Sequence, residues 1–372
     1  LPQQTFKSEW RPIKSPPFVI PEALTVETAL EKVFGLLQVG SKGFLTRKID
    51  RAVTGLVVQQ PCVGPHQVPL ADFGATADGY FGITGAAEAI GENPNYLLVD
   101  GAAGARRIVA EMLMNLAGIK ISERGDISGR ANWMWPAKYP GEASRIYDAA
   151  RAMAEAMERV GIKIDGGKDS LSMAAKLLGE TILSPGALVL MGYAPVPDIR
   201  KRVTPDLKGA GCLGFIKMTG PVWRLGGSAL AQALGHLGGD EVPDLDINDL
   251  ATLTRAFDAV QDLIDQGLIT AYHDVSDGGL ITAVAEMCIA GNRGASLRLP
   301  VGTDIFPVLF AEEPIMMIEY APESRAKITR VMKKHGVIWS GKNQIGVVDT
   351  KMGGNLRIYS ARERWVDAPV TV

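Results

Sequence analysis

The chain has 372 residues, of which 47% are hydrophobic and 22% charged, and its formal net charge is −2. That length allows about two ordinary domains, each with its own core, and the composition is globular rather than disordered. The charge gives no electrostatic pull toward nucleic acid or an acidic membrane surface, and Cys62, Cys212 and Cys288 form neither a zinc pattern nor a disulfide framework, which suits a reducing, cytoplasmic setting.

The opening stretch "LPQQTFKSEWRPIKSPPFVIPE" holds five prolines and reads as an extended arm over residues 1–27; with no methionine at its start, the chain reads as a piece of something longer. Val26, Ala29, Leu30, Val33 and Leu37 then fall at helical spacing. The apolar runs "TGLVVQQ", "QVPLAD" and "NYLLVD" are expected strands. They alternate with alanine-rich segments, 102–117 and 143–160, expected as helices. A long strand is expected over 181–194; its run "GALVLMGYAPV" is too short to span a membrane.

The prolines and charges of "PVPDIRKRVTPDLKGAG" place a domain boundary near 200. Beyond it the pattern predicts a strand at "CLGFIKM", helices near 228–237 and 249–266, and a strand at "ITAYHD". A helix after Gly279 and strands near 295, 315, 345 and 356 complete it. The expected organisation is thus an arm (1–27), a mixed α/β domain (28–200) and a second mixed domain (201–372).

Several stretches carry groups suited to phosphate and metal chemistry. In "HDVSDGGL" (273–280), Asp274 can hold Mg²⁺ while Ser276 and the glycine backbone face phosphate oxygens at a helix N-terminus. Taken alone, an N-cap Ser or Asp on a glycine turn is the better explanation. Asp72, at the end of "QVPLAD", has the position of a Mg²⁺ ligand or of a plain turn residue. Glu111 and Asn115 lie four apart, so they share a helix face amid apolar neighbours; with Asp72 they could complete a Mg²⁺ site. Lys42, beside Gly40 and Ser41, and the following Asp50 and Arg51 could bind a phosphate, or form an ordinary polar turn.

"IDGGKDSLSM" fails the usual P-loop rule, because Gly167 stands where lysine is needed and Asp169 where a hydroxyl is needed. Trp133 and Trp135 read as core aromatics, and Glu142 as a carboxylate at a helix start. No nucleophile elbow or Ser-His-Asp set occurs, so covalent catalysis is disfavoured.

Together "GSKGFLTRKIDRAVTGLVVQQPCVGPHQVPLAD", "AEMLMNL", "NWMWPAKYPGE", "DGGKDSLSM", "LGGSALAQ", "HDVSDGGL" and "FAEEP" resemble the phosphoribosylformylglycinamidine synthases. The match is to the second half of the synthetase region of the long form, from about residue 28 to "ARERW". The resemblance implies an α+β fold like aminoimidazole ribonucleotide synthetase, with an N-terminal half-barrel domain that pairs with a second copy and a C-terminal α/β domain. It implies ATP or ADP with Mg²⁺ as cofactors, the metal held by Asp72, Glu111, Asn115 and Asp274, with Ala71 and Ser276 beside the nucleotide, at a site in this copy that retains ADP structurally. Lys42, Asp50 and Arg51 are implied near the reacting centre, and Lys168, Asp169 and Ser170 in a phosphate- or substrate-proximal loop.

The implied partners are formylglycinamide ribonucleotide, ammonia from a glutaminase domain and a first synthetase copy, with neither nucleic acid nor membrane. In the implied reaction ATP activates the formyl amide oxygen and ammonia then displaces phosphate, an electrostatic task needing no protein nucleophile. A non-catalytic nucleotide-binding scaffold, or a free-standing synthetase or kinase of the same fold, stays open beside it.

Overall fold

The computed structural model describes residues 8–10, 16–48, 51–52, 55–238, 241–300, 302, 304–360 and 363–370. Two mixed sheets organise the chain. The first runs Val57–Gln59, Phe73–Ala77, Gly85–Glu92, Ala187–Val196, Ser128–Met134 and Lys163–Ser170 from edge to edge. Its last pair is parallel and the rest antiparallel. Residues of Gly85–Glu92 alternate buried and exposed, the pattern of a sheet covered on one side only. The helices Gly101–Leu116 and Glu142–Val160 belong to the core on the covered side. The open side shows Ile90, 48% exposed.

The second sheet runs Ala271–Asp274, Ile315–Tyr320, Cys212–Lys217, Gln344–Val348, Arg293–Leu299, Gly353–Ser360 and Glu363–Pro369. Helix Ile247–Asp265 packs between the two sheets' elements, so Met112 and Leu113 share one continuous core with Phe257, Val260 and Ile318. The other side of this sheet packs on helix Gly279–Gly291, which is buried nearly all round, as a sequence apolar on every face except for Thr282 and Glu286 dictates.

Several expectations are corrected. "NYLLVD" is a helix, Pro94–Val99, because the Asn93 side chain caps it by accepting from Tyr96 N and Pro94 fits its first turn. The first helix stops at Phe34, leaving Leu37 93% exposed. The long strand over 181–194 is broken near Pro185 into Glu180–Leu183, in a hairpin with Ala174–Leu177, and Ala187–Val196. The segment holding Lys168, Asp169 and Ser170 is an edge strand, not a loop, since it pairs in parallel with Ser128–Met134. Trp135 is fully buried, as expected, and its Nε1 donates to Glu142 Oε2 at 2.9 Å.

Candidate metal centre

Asp72 ends the turn before Phe73–Ala77, and Asp274 ends Ala271–Asp274, so each sheet delivers one carboxylate from a strand terminus. Ligand atoms of Asp72, His273 and Asp274 all lie within 4.8 Å of one another. His273 Nδ1 is 2.7 Å from Asp72 Oδ1, and its Nε2 is 3.1 Å from Glu286 Oε2. Burial opposes charging this imidazole, yet Asp72 and Glu286 hold its pKa well above the ordinary histidine value. Burial raises Asp72 despite His273. Burial, with Asp72 adding to it, pushes Asp274 up to about 7, although His273 and Arg107 oppose the shift.

Helix Gly101–Leu116 brings the third side of the cluster. Asp100 caps it, accepting from Ala102 N and Ala103 N at 2.9 Å each. Glu111 accepts from Glu92 N at 3.2 Å and Asn115 Nδ2 donates to Ile90 O at 2.8 Å, so the predicted pair faces the end of Gly85–Glu92. Desolvation raises Glu111 well above the usual carboxylate range; Arg107 counters this, and Asp274, Asp277 and Glu92 add to it. Asp277 is raised well above its normal value too, first by desolvation, then by Glu312 and Glu92, with Lys42 and Arg107 opposing. Acids thus outnumber the cations that face them.

This donor set fits a hard dication. Carboxylate oxygens are its preferred ligands, and Asp274 Oδ2 is buried with no hydrogen-bond partner in the protein, a costly state that a cation relieves. The turn after Asp274 supplies Ser276 and then Gly278 and Gly279, both at positive φ, where a side chain is strained. A Cβ on Gly279 would also lie 2.7 Å from the backbone carbon of Phe310.

Of the other predicted residues, Ala71 adjoins Asp72 and donates its N–H to Pro61 O at 3.0 Å. Lys42 donates to the carbonyls of Gln38 and Gly40 while lying in the field of Asp277. Asp50 lies outside the described residues. Arg51 donates to Gln67 Oε1 at 2.8 Å and lines a cavity of about 660 Å³ on the open side of the first sheet with Glu88, Arg130 and Tyr193. Lys168, whose ammonium meets the Ser170 hydroxyl, sits with Asp169 on the far edge strand. Four strand spacings, roughly 19 Å along the sheet, separate that strand from Phe73–Ala77, so the structure does not bring these three to the acids.

Residues that the sequence reading did not single out complete the site. Glu286 is the one charged side chain of "GLITAVAEMCIAG", an available signal. Glu312 lies within "FAEEP", quoted for the resemblance but without a role, while Arg107 and Tyr96 gave no signal beyond polar groups set among apolar neighbours.

Residues 41–195 match the family model described as FGAR-AT PurM_N-like domain, and residues 216–358 match that of the AIR synthase related protein, C-terminal domain. The phosphoribosylformylglycinamidine synthase of Drosophila melanogaster is 45% identical over 359 residues, covering 91% of this chain and 26% of the relative. The chain belongs to the phosphoribosylformylglycinamidine synthase family. The Homo sapiens synthase is 44% identical over 341 residues, covering 91% of this chain and 25% of its own. The chain spans about a quarter of the length of the curated relatives it matches.

Solved structures agree on the fold. Thermotoga maritima PurL complexed with FGAR matches with a TM-score of 0.62 at 13% identity, covering 92% of this chain and 49% of that one. The same protein complexed with ADP gives 0.61 at 14% identity, over 93% and 51%. The architecture is the aminoimidazole ribonucleotide synthetase-like α+β fold that the family resemblance implied. Among the described residues, no helix is long and apolar enough to cross a membrane.

Proposed function

We propose that this chain supplies the nucleotide- and Mg²⁺-binding half of a synthetase core. That core belongs to an ATP- and glutamine-dependent enzyme converting formylglycinamide ribonucleotide to its amidine in purine synthesis. The observation that carries the reading is the meeting of Asp72 and Asp274 from two sheets around His273, with a buried Asp274 oxygen left unpartnered. Asp72, Asp274, Glu111 and Asn115 would hold the cation, and Ala71 and Ser276 would adjoin the nucleotide. Lys42, in the field of Asp277, would offset phosphate charge. When bound, Mg²⁺ neutralises phosphate oxygens.

The chain's own residues hold and orient. His273 fixes the Asp72 carboxylate, Glu286 fixes His273, and the glycine turn lets main-chain N–H groups approach an anion. Asp274 and His273 are 3% and 6% exposed, which supports a site that retains nucleotide as a fastening rather than one that turns it over. Arg51, the 660 Å³ cavity and the uncovered sheet side support pairing of this face with the first synthetase copy, where substrate would be met. Lys168, Asp169 and Ser170 belong to that same sheet and would act from its far edge. Ammonia would arrive from a glutaminase domain.

Isothermal titration of the 372-residue chain with ADP and Mg²⁺ tests the reading. Saturable binding that requires both components is expected, with at least about a tenfold loss in Asp72→Ala. Heat that is unchanged by Asp72→Ala would reject a nucleotide role for this cluster.

A further inference from the structure

Arg107 precedes Glu111 by one helical turn and is 1% exposed. Its Nη2 donates to Val275 O at 2.8 Å and its Nε to Glu312 O at 3.3 Å, while Nη1 is buried without a partner. Val275 is the residue after Asp274. Glu312 in turn accepts from Gly278 N at 2.7 Å, Ala229 N at 2.8 Å and the Tyr96 hydroxyl. One guanidinium on a first-sheet helix thus grips the two main-chain segments that frame the glycine turn. Burying a cation on neutral carbonyls is costly. The cost is offset by the nearby charges of Glu111, Asp274 and Glu312.

We propose that Arg107 is a positioning residue that locks the Asp274–Gly279 turn against the helix carrying Glu111, so that acids from both sheets present one cation site. It acts through the main chain and touches no substrate. A lysine keeps the charge but cannot bond both carbonyls with the same planar geometry.

The proposal rests on the cation-site reading, and its test separates the two. Hydrogen exchange on the ligand-free chain reads the turn directly. Arg107→Lys is expected to speed exchange of the Val275 and Gly279 amides by about tenfold or more, leaving that of helix Glu142–Val160 unchanged. Affinity for Mn²⁺ alone, read from the spin-resonance signal of the free ion, is expected to fall about tenfold or more. In Arg107→Ala, added guanidinium at sub-denaturing concentration is expected to restore slow exchange, whereas equal sodium chloride does not. Unchanged turn exchange in Arg107→Lys overturns the proposal even where Arg107→Ala fails to fold. Absence of Mn²⁺ binding by the wild-type chain, with the turn still loosened in Arg107→Lys, would instead sink the cation-site reading and leave the positioning role supported.

Discussion

Glu286 and Lys217 show what a half-buried charge does to its neighbours. Glu286 holds His273 Nε2, and His273 holds Asp72, so Glu286→Ala frees the imidazole to rotate and loosens a carboxylate that Glu286 never touches. Mn²⁺ affinity is expected to drop about tenfold with little change in melting temperature; an unchanged affinity would mean that Asp72 is held by other means. Lys217 Nζ donates to Gly220 O at 2.6 Å and Val222 O at 2.7 Å and lies 4.9 Å from the Trp223 ring centroid. Desolvation lowers its pKa to about 8, with Arg224 adding to the shift and Glu313 opposing it. The folded chain therefore releases this proton before the unfolded chain does. The cost of charging Lys217 stands in full below pH 8 and is relieved between about 8 and 10.5. Urea titrations of wild type and Lys217→Met at pH 7.5 and 9.5 are expected to show the wild type gaining relative stability, by at most on the order of 1 kcal/mol per pH unit; a constant difference would contradict it.

The elements that read correctly from sequence are those whose period has no rival. Gly101–Leu116, Glu142–Val160 and Ile247–Asp265 each run long enough for a helical stripe to show. "NYLLVD" misleads because a short apolar run fits strand and helix alike, and only Asn93 before Pro94 marks the cap. Phe73–Ala77 and Gly85–Glu92 escaped notice because "FGATA" and "GAAEAIGE" are mostly Gly, Ala and Glu, which have weak strand preference. At Gly91, and at Gly192 in the neighbouring strand Ala187–Val196, smallness has a packing reason. A Cβ on Gly91 would lie 2.2 Å from Ile108 O and 2.6 Å from Met112 N, and one on Gly192 would lie 2.2 Å from Met112 Sδ. Helix Gly101–Leu116 rests directly on these glycines. Gly91→Ala would push away the helix that bears Arg107 and Glu111, at a cost of about 1–3 kcal/mol. A melting curve is expected to fall by about 3 °C or more, and an unshifted curve would show that the helix can yield freely. Asp72, Glu111 and Asp274 were legible because motif and spacing exposed them, and Glu286 left a signal as the lone charge of an apolar helix; Arg107 was not, because its role exists only where the two sheets meet.

At the scale of the molecule, the two sheets are joined by polar clamps as well as by a shared core. Gln261, 5% exposed, donates Nε2 to Ala117 O at 3.0 Å and Ile119 O at 2.9 Å and accepts from Ile121 N at 2.9 Å. Tyr272, two residues before Asp274, donates its hydroxyl to Met114 O at 2.8 Å. Because a cation site divided between sheets needs a rigid seam, the wild-type chain is expected to unfold in one calorimetric transition. Gln261→Leu strands buried main-chain groups at about 1–3 kcal/mol and is expected to broaden or split that transition; two transitions already present in the wild type would contradict the seam. A crystal structure of the chain with ADP and Mn²⁺, read by the anomalous signal of the metal, decides whether the divided acids form one cation site. The expected result is a peak coordinated by Asp72, Asp274 and Glu111, with diphosphate oxygens beside the Ser276–Gly279 turn. Nucleotide bound elsewhere, or this cluster without metal at saturating Mn²⁺ and ADP, would contradict such a site.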